Sequence, residues 1–184
     1  LLMIITVTNE FSFKTHRQNI IDGETRTQFI VTKLVCGIVV ALVSTLFVFL
    51  TAMLFGMTEE NSNFSFENIQ YIFYFFLQAL SYCWLAIFFS LLFKRSGISI
   101  GVFFLYTIVL ENVLVQALNY YANGSGKFLP IQSSDELLPL PFLEKIQREI
   151  SKSDVNTTLQ LGLVITYLAA YFFFCKRKFE RDDL

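Results

Sequence analysis

The sequence predicts an all-α membrane protein, a polytopic bundle of transmembrane helices, and three observations carry that prediction. The 184 residues are 54% hydrophobic and only 16% charged, with a mean hydropathy of +0.56, whereas soluble domains are about a quarter charged. Four apolar runs each reach the ~20 residues that a helix needs to cross a bilayer. Apolar and polar residues do not alternate in any of the four runs as they would in a strand of a membrane barrel. Because the backbone in lipid must satisfy its own hydrogen bonds, the runs are predicted to be helices.

The apolar runs define the organisation of a single transmembrane domain, 1–184. The predicted spans are 29–57, 69–93, 98–118 and 158–175. Lys33 lies near the start of the first span, where its long side chain is expected to extend to the headgroups. Residues 1–8 are apolar but too short to cross, and they lack the basic start of a signal peptide. We interpret them as the end of a truncated span.

Charge separates the connecting segments into two groups. Segment 9–28, the Lys94–Arg95 turn and the tail 176–184 are rich in Lys and Arg, whereas 58–68 carries Glu without Lys or Arg. The loop 119–157 mixes both signs. The positive-inside rule therefore predicts that the three basic segments are cytoplasmic and that 119–157 is extracytoplasmic.

The extracytoplasmic loop is predicted to contain a turn and one short helix. Asn123–Gly126 has turn composition, and we expect the three prolines to prevent a helix through the middle of the loop. These prolines are Pro130, Pro139 and Pro141. Apolar residues at helical spacing over Phe142–Lys152 favour a small helix on the outer membrane face, with a partly ordered loop as the alternative.

The basic segment 9–28 has the pattern of a short amphipathic helix followed by a new helix start. At 3.6 residues per turn one face collects Phe13, Arg17, Ile20 and Ile21, while Thr15, Gln18, Asn19 and Asp22 face away. Gly23 suits the end of this helix, and Thr25-x-x-Gln28 is a capping box that starts the next one. An ordinary interfacial helix that only anchors a loop fits the same pattern.

Residues with catalytic or metal-binding chemistry are scarce in this sequence. His16 is the single histidine, the three cysteines lie inside apolar runs without C-x-x-C spacing, and no phosphate-binding G-x-x-x-x-G-K-[ST] loop occurs. We therefore predict no catalytic residue, no metal site and no cofactor bound by this chain. A net charge of −1 also argues against a nucleic-acid partner.

Glu111 is the exception because it is an ionisable residue within a predicted span. Such a group is costly against lipid and normally faces protein or water. One interpretation is a polar point on a substrate path or a subunit seam. The other is a carboxylate near the outer surface that Asn112, Gln116 or water satisfies.

Segment 9–28 resembles the cytoplasmic coupling segment of type-2 ATP-binding-cassette (ABC) permeases, the membrane subunits of many bacterial exporters. That family often shows a Glu, a Gly-Thr five residues on, a Pro-x-Ser-Arg, and a Lys that opens the next span. Glu10, Thr15, Arg26 and Lys33 keep this order and spacing. Three positions depart from the pattern, with Lys14 in place of Gly, Gly23 in place of Pro and Thr25 in place of Ser.

The resemblance implies a transport subunit rather than an enzyme. It would pair with a second, identical or related permease half and with two cytoplasmic ABC ATPase subunits that hold ATP and Mg²⁺. The short helix would dock in a groove on the ATPase. The coupling interface would then comprise Glu10, Phe13, Lys14, Thr15, Arg17, Ile20, Ile21, Gly23 and Arg26. The expected location is a bacterial inner membrane, and because six spans are usual, one span and most of a second would precede this sequence.

Three other classes of function compete with a transport subunit. A membrane-embedded enzyme should place several ionisable residues at one depth, and Glu111 alone fits. A secondary transporter should show paired broken helices and intramembrane charges in its two halves, and neither is evident. A scaffold or sensor subunit that transports nothing stays open as the alternative.

Overall fold

The computed structural model describes residues 1–56, 69–121, 125–138 and 157–181, and every regular element in these ranges is helical. A π-helical stretch, Leu105–Leu110, joins α5 to α6, and a 3₁₀ turn, Ser125–Phe128, precedes α7. The predicted all-α bundle is confirmed. The helices are α1 Leu2–Ser12, α2 Thr15–Ile21, α3 Arg26–Gly56, α4 Gln70–Phe93, α5 Ser96–Phe104, α6 Glu111–Tyr121, α7 Pro130–Asp135 and α8 Thr157–Arg181.

Four helices are long and apolar enough to cross a membrane, and they correspond to the four predicted spans. They are α3, α4, the continuous helix Ser96–Tyr121, and α8. The largest difference in bounds is at α8, which continues to Arg181 although the apolar run ends at Cys175. Lys178 and Arg181 lie in its last turn, where the helix dipole favours positive charge, so the helix can extend beyond the apolar layer.

Helix α4 is at the centre of the bundle. It packs against α1, α3, α5, α7 and α8, and half of its most apolar stretch is buried, against 6% for α3. Trp84 of α4 packs on α3, where its Nε1 donates to the carbonyl oxygen of Leu34 at 3.1 Å. Gly37 makes room for the indole, because a Cβ at Gly37 would lie 3.1 Å from the Trp84 ring. A small residue thus lets the two helices approach closely.

The short helix α7 corrects one expectation about the loop 119–157. Pro130 was expected to prevent a helix, but it is the first residue of α7. Proline is favoured at this position because its missing N–H would have no intrahelical acceptor and its φ is already helical. Pro139, Pro141 and the helix expected over 142–152 lie outside the described residues.

Candidate functional site

The three basic segments meet at one end of the bundle. We call this the basic end: the α1–α2 turn, the start of α3, the Lys94–Arg95 turn between α4 and α5, and the last turns of α8. Arg26 donates to the carbonyl oxygen of Glu180 at 3.1 Å, and the Thr27 hydroxyl donates to the Glu180 carboxylate at 2.8 Å. The Lys94 ammonium lies 5.7 Å from the Phe11 ring centroid. Which side of the membrane this end faces stays a prediction.

Glu10 organises the start of α2 through both its side chain and its carbonyl oxygen. Its carboxylate forms an ion pair with Lys33, and the two side chains are 21% and 11% exposed. Its carbonyl oxygen accepts hydrogen bonds from Thr15 Oγ1 at 3.4 Å and from His16 Nδ1 at 2.9 Å. The expectation that Lys33 extends to the headgroups is therefore wrong. A largely buried ammonium needs a counter-ion, and Glu10 supplies one.

The predicted amphipathic helix is interrupted in the structure. Helix α1 continues through Ser12, and Lys14 adopts a positive φ of 56°, so Phe13 lies in the turn before α2. Arg17, Ile20 and Ile21 do lie on α2, but Phe13 does not belong to their helical face. The mismatch arises because Lys14 takes the left-handed conformation that normally ends a helix.

Helix α2 packs onto the bundle through His16, which was not among the predicted coupling residues. The His16 ring is 7% exposed and lies 4.8 Å from the Phe11 ring. Phe13 and Ile21 are 75% and 81% exposed, Arg17 is exposed and Ile20 is half-buried. Phe13, Arg17 and Ile21 form the outward side of this turn and helix, and we call them the coupling surface after the role predicted for them.

The turn from α2 into α3 has the geometry that the sequence predicts. Gly23 has a φ of +104°, its N–H donates to Ile20, and the N–H of Glu24 donates to Asn19, which is the Schellman arrangement. At the start of α3, Thr25 N–H donates to Gln28 Oε1 at 2.9 Å and Gln28 N–H donates to Thr25 Oγ1 at 3.2 Å. This reciprocal pair is the capping box. Both elements hold α2 in a fixed relation to α3.

Glu111 is buried near the opposite end, where it fastens α7 to the bundle. Glu111 is only 3% exposed. One of its carboxylate oxygens accepts hydrogen bonds from the N–H groups of Ile131 at 2.6 Å and Gln132 at 2.9 Å. Asn112, an expected partner, instead donates to the carbonyl oxygen of Ile108 at 2.9 Å. Glu111 therefore faces protein of its own chain, and its role in a path or seam stays a prediction.

Two further carboxylates of the same region bind α7 to α4 and α8. Asp135 accepts from Gln78 Nε2 at 2.7 Å and from the Tyr82 hydroxyl at 3.1 Å. Glu136 accepts from Gln160 Nε2 at 2.6 Å. Burial raises the pKa of Asp135 and of Glu136, against the lowering effect of their hydrogen bonds. We call Glu111, Asp135 and Glu136 the acidic end.

The acidic end does not form a metal site in the structure. Within the described ranges, no three His, Cys, Asp or Glu residues are placed to hold a metal ion. Its carboxylates are instead engaged by amides, hydroxyls and backbone N–H groups. Its chemistry is that of a structural junction between helices.

A comparison with known protein families matches residues 1–184 to the family described as "Protein of unknown function (DUF2705)". The chain belongs to this family. Neither the curated proteins nor the solved structures contain a match to the chain. The family description names no activity, so the function of this DUF2705 member has to be argued from its own residues.

The structure brings two of the predicted coupling residues of this DUF2705 chain, Glu10 and Thr15, into contact. Glu10 also pairs with Lys33, whereas Arg26 pairs with the end of α8. Sequence reasoning missed Gln78 and Tyr82, whose spacing of four residues places both on one face of α4. That pair of polar groups within an apolar helix was the available signal for the docking of α7.

Proposed function

We propose that this chain is the permease subunit of an ATP-driven ABC exporter in a bacterial inner membrane, where it couples to a separate ATPase subunit. The observation that carries the proposal is the coupling surface. Phe13, in the turn before α2, and Ile21, at the end of α2, are large apolar side chains at the basic end, and both are more than 70% exposed. Apolar anchors beside a cation are what a helix-in-groove contact uses.

The bracing of α2 gives a route by which the partner's motion reaches the spans. The ion pair of Glu10 with Lys33 joins α1 to α3, and the Schellman turn and capping box join α2 to α3. Displacement of α2 by an ATPase would therefore move the start of α3 as a unit. ATP and Mg²⁺ would be bound and hydrolysed on the ATPase, not on this chain.

A second permease half fits the uneven burial of the spans. Only 6% of the most apolar stretch of α3 is buried within this chain, against 50% in α4. Helix α3 thus presents most of its apolar surface to lipid or to another subunit. The substrate path would then lie between two halves, as the resemblance implies.

Co-purification with the cognate ATPase tests the proposal. Truncating interface anchors commonly costs over ~1 kcal/mol each, so Ile21→Ala with Arg17→Ala should weaken ATPase binding about tenfold or more. The matched control is Ile165→Ala with Arg177→Ala, since both control residues are exposed and lie on α8 away from the coupling surface. The control should retain the ATPase.

Equal retention of the ATPase by the wild type and the Ile21/Arg17 variant would refute the coupling assignment. The plain interfacial anchor makes a different prediction, because it needs Phe13 in the membrane surface. Under that reading Phe13→Asp would disturb membrane attachment and leave ATPase association unchanged. Under the proposal Phe13→Asp releases the ATPase while the apolar spans still insert.

A further inference from the structure

A cleft of about 260 Å³ opens at the basic end between two interhelical turns. One wall is the α1–α2 turn and the start of α2, and the other is the α4–α5 turn. Four cationic residues line it: Lys14, Arg17, Lys94 and Arg95. No carboxylate is among the described lining residues. Four positive groups from distant parts of the chain therefore converge on one concave surface.

The backbone at two of these cations is held in an unfavourable conformation. Lys14 and Lys94 have φ angles of 56° and 53°, and they are the non-glycine residues with positive φ among those described. Glycine adopts this conformation without the steric cost that a Cβ brings. Strain of this kind concentrates at functional sites. Both strained positions in the described chain carry an ammonium group to the same cleft.

The cleft also adjoins apolar side chains that suit the body of an amphiphile. His16 is not counted as a phosphate ligand, because its Nδ1 donates to the carbonyl oxygen of Glu10 and Nε2 of the neutral ring is then an acceptor. Phe93 lines the cleft and is 38% exposed, and Leu92 and Ile98, on either side of the α4–α5 turn, are 41% and 48% exposed. A cationic hollow thus adjoins an exposed apolar surface at the ends of two spans.

We infer that this cleft binds the headgroup phosphate of an anionic phospholipid. Basic pockets between transmembrane helices at the membrane surface are suited to such headgroups. The apolar surface beside Phe93 receives the acyl chain, which a free phosphate ion lacks. The inference goes beyond ATPase coupling, and Lys94 and Arg95 are not part of the coupling surface.

Native mass spectrometry of the detergent-solubilised protein, titrated with phosphatidylglycerol, tests the inference. A cation near the surface is worth about fivefold in affinity, so Lys94→Gly with Arg95→Gln should weaken binding about 25-fold. Glycine at position 94 relieves the positive φ, which offsets the loss of the Lys94–Phe11 contact, and the thermal midpoint checks that the variant is folded. Arg177→Gln with Lys178→Gln removes the same charge from α8, outside the cleft, and should leave the affinity unchanged. Arg95→Gln alone should weaken binding about fivefold.

Three results would overturn the inference. The α8 control could weaken phosphatidylglycerol binding as much as the cleft variant, which would make the effect one of net charge. Phosphatidylcholine with the same acyl chains could bind as tightly, which would remove the role of headgroup charge. Inorganic phosphate could displace the lipid at an equal concentration, which would make free phosphate the ligand. The cleft variant should still co-purify with an ATPase, so failure here is distinct from failure of the coupling proposal.

Discussion

The two ends of this bundle differ in how many of their charged side chains are exposed. At the basic end Lys14, Arg17 and Arg95 are exposed, and their long side chains keep the charge in water. At the acidic end Glu111 is 3% exposed, and Asp135 and Glu136 are half-buried and accept hydrogen bonds from other helices. A carboxylate that leaves water must find such donors nearby.

This difference in exposure indicates different roles for the two ends. Cations and large apolar side chains are exposed at the basic end, whereas the carboxylates of the acidic end are engaged by contacts within the chain. At the acidic end three carboxylates hold one short helix, α7, against α4, α6 and α8. The acidic end is therefore a junction between helices, and the proposed binding surfaces lie at the basic end.

The largest expected effect comes from removing the carboxylate that holds the start of α7. Glu111→Leu leaves the N–H groups of Ile131 and Gln132 without their acceptor, at a cost of about 3 kcal/mol. Glu111→Gln keeps an oxygen acceptor and should cost about 1 kcal/mol. Thermal unfolding and hydrogen exchange of the α7 amides measure both. Asn112→Leu, at an exposed neighbouring site, is the control, and an equal loss there would contradict the junction.

The next effect concerns the ion pair at the basic end. Lys33→Met leaves the Glu10 carboxylate partly buried without its partner, which should cost about 2 kcal/mol. Adding Glu10→Gln should recover part of that loss, because the orphaned charge is gone. A double-mutant cycle on thermal stability measures the coupling. Strict additivity of the two substitutions would show that the pair does not brace α1 against α3.

A smaller effect is expected at the capping box. Gln28→Ala removes the side chain that accepts from the N–H of Thr25, and loss of a cap costs about 0.5 to 1 kcal/mol at an exposed site. Gln18→Ala on α2 is the matched control, since Gln18 is exposed. The thermal midpoint should fall for Gln28→Ala alone. Equal midpoints for the two variants would mean that the cap does not stabilise the start of α3.

The smallest expected effect is a pH dependence of the acidic end. Burial raises the pKa of Asp135 and Glu136, so the folded state holds these protons more tightly than the unfolded state. Their contribution to stability is complete below the ordinary carboxyl pKa and is lost as the pH rises through the folded pKa. In the double variant Asp135→Asn with Glu136→Gln, the thermal midpoint should depend less on pH over that window than it does in the wild type. A parallel curve for the variant would contradict the assignment.

The fold was predictable because it follows from composition and local pattern. Long apolar runs define α3, α4 and α8, and bilayer thickness fixes their minimum length. Gly23, Thr25 and Gln28 act on neighbours within four residues, so the turn that they form is confirmed in detail. Information of this kind is contained in a short window of sequence.

The acidic end was not predictable, because its partners are far apart in the chain. Glu111 binds amides 20 and 21 residues away, and Asp135 binds side chains 53 and 57 residues away. The π-helical stretch before Glu111 has wider turns than an α-helix. A period of 3.6 residues per turn therefore does not predict which face of the helix Glu111 occupies. The break at Lys14 was missed because a lysine in the left-handed conformation carries no signal of its own.

The most direct test of the account is the side of the membrane that each end faces. Single cysteines at Gln18 and Tyr121, both exposed, report the basic end and the opposite end after Cys36, Cys83 and Cys175 are replaced by alanine. A membrane-impermeant thiol reagent applied to intact cells should label the Tyr121→Cys variant. It should label the Gln18→Cys variant only after permeabilisation. Labelling of Gln18→Cys from outside would place the coupling surface beyond the reach of a cytoplasmic ATPase and would contradict the account.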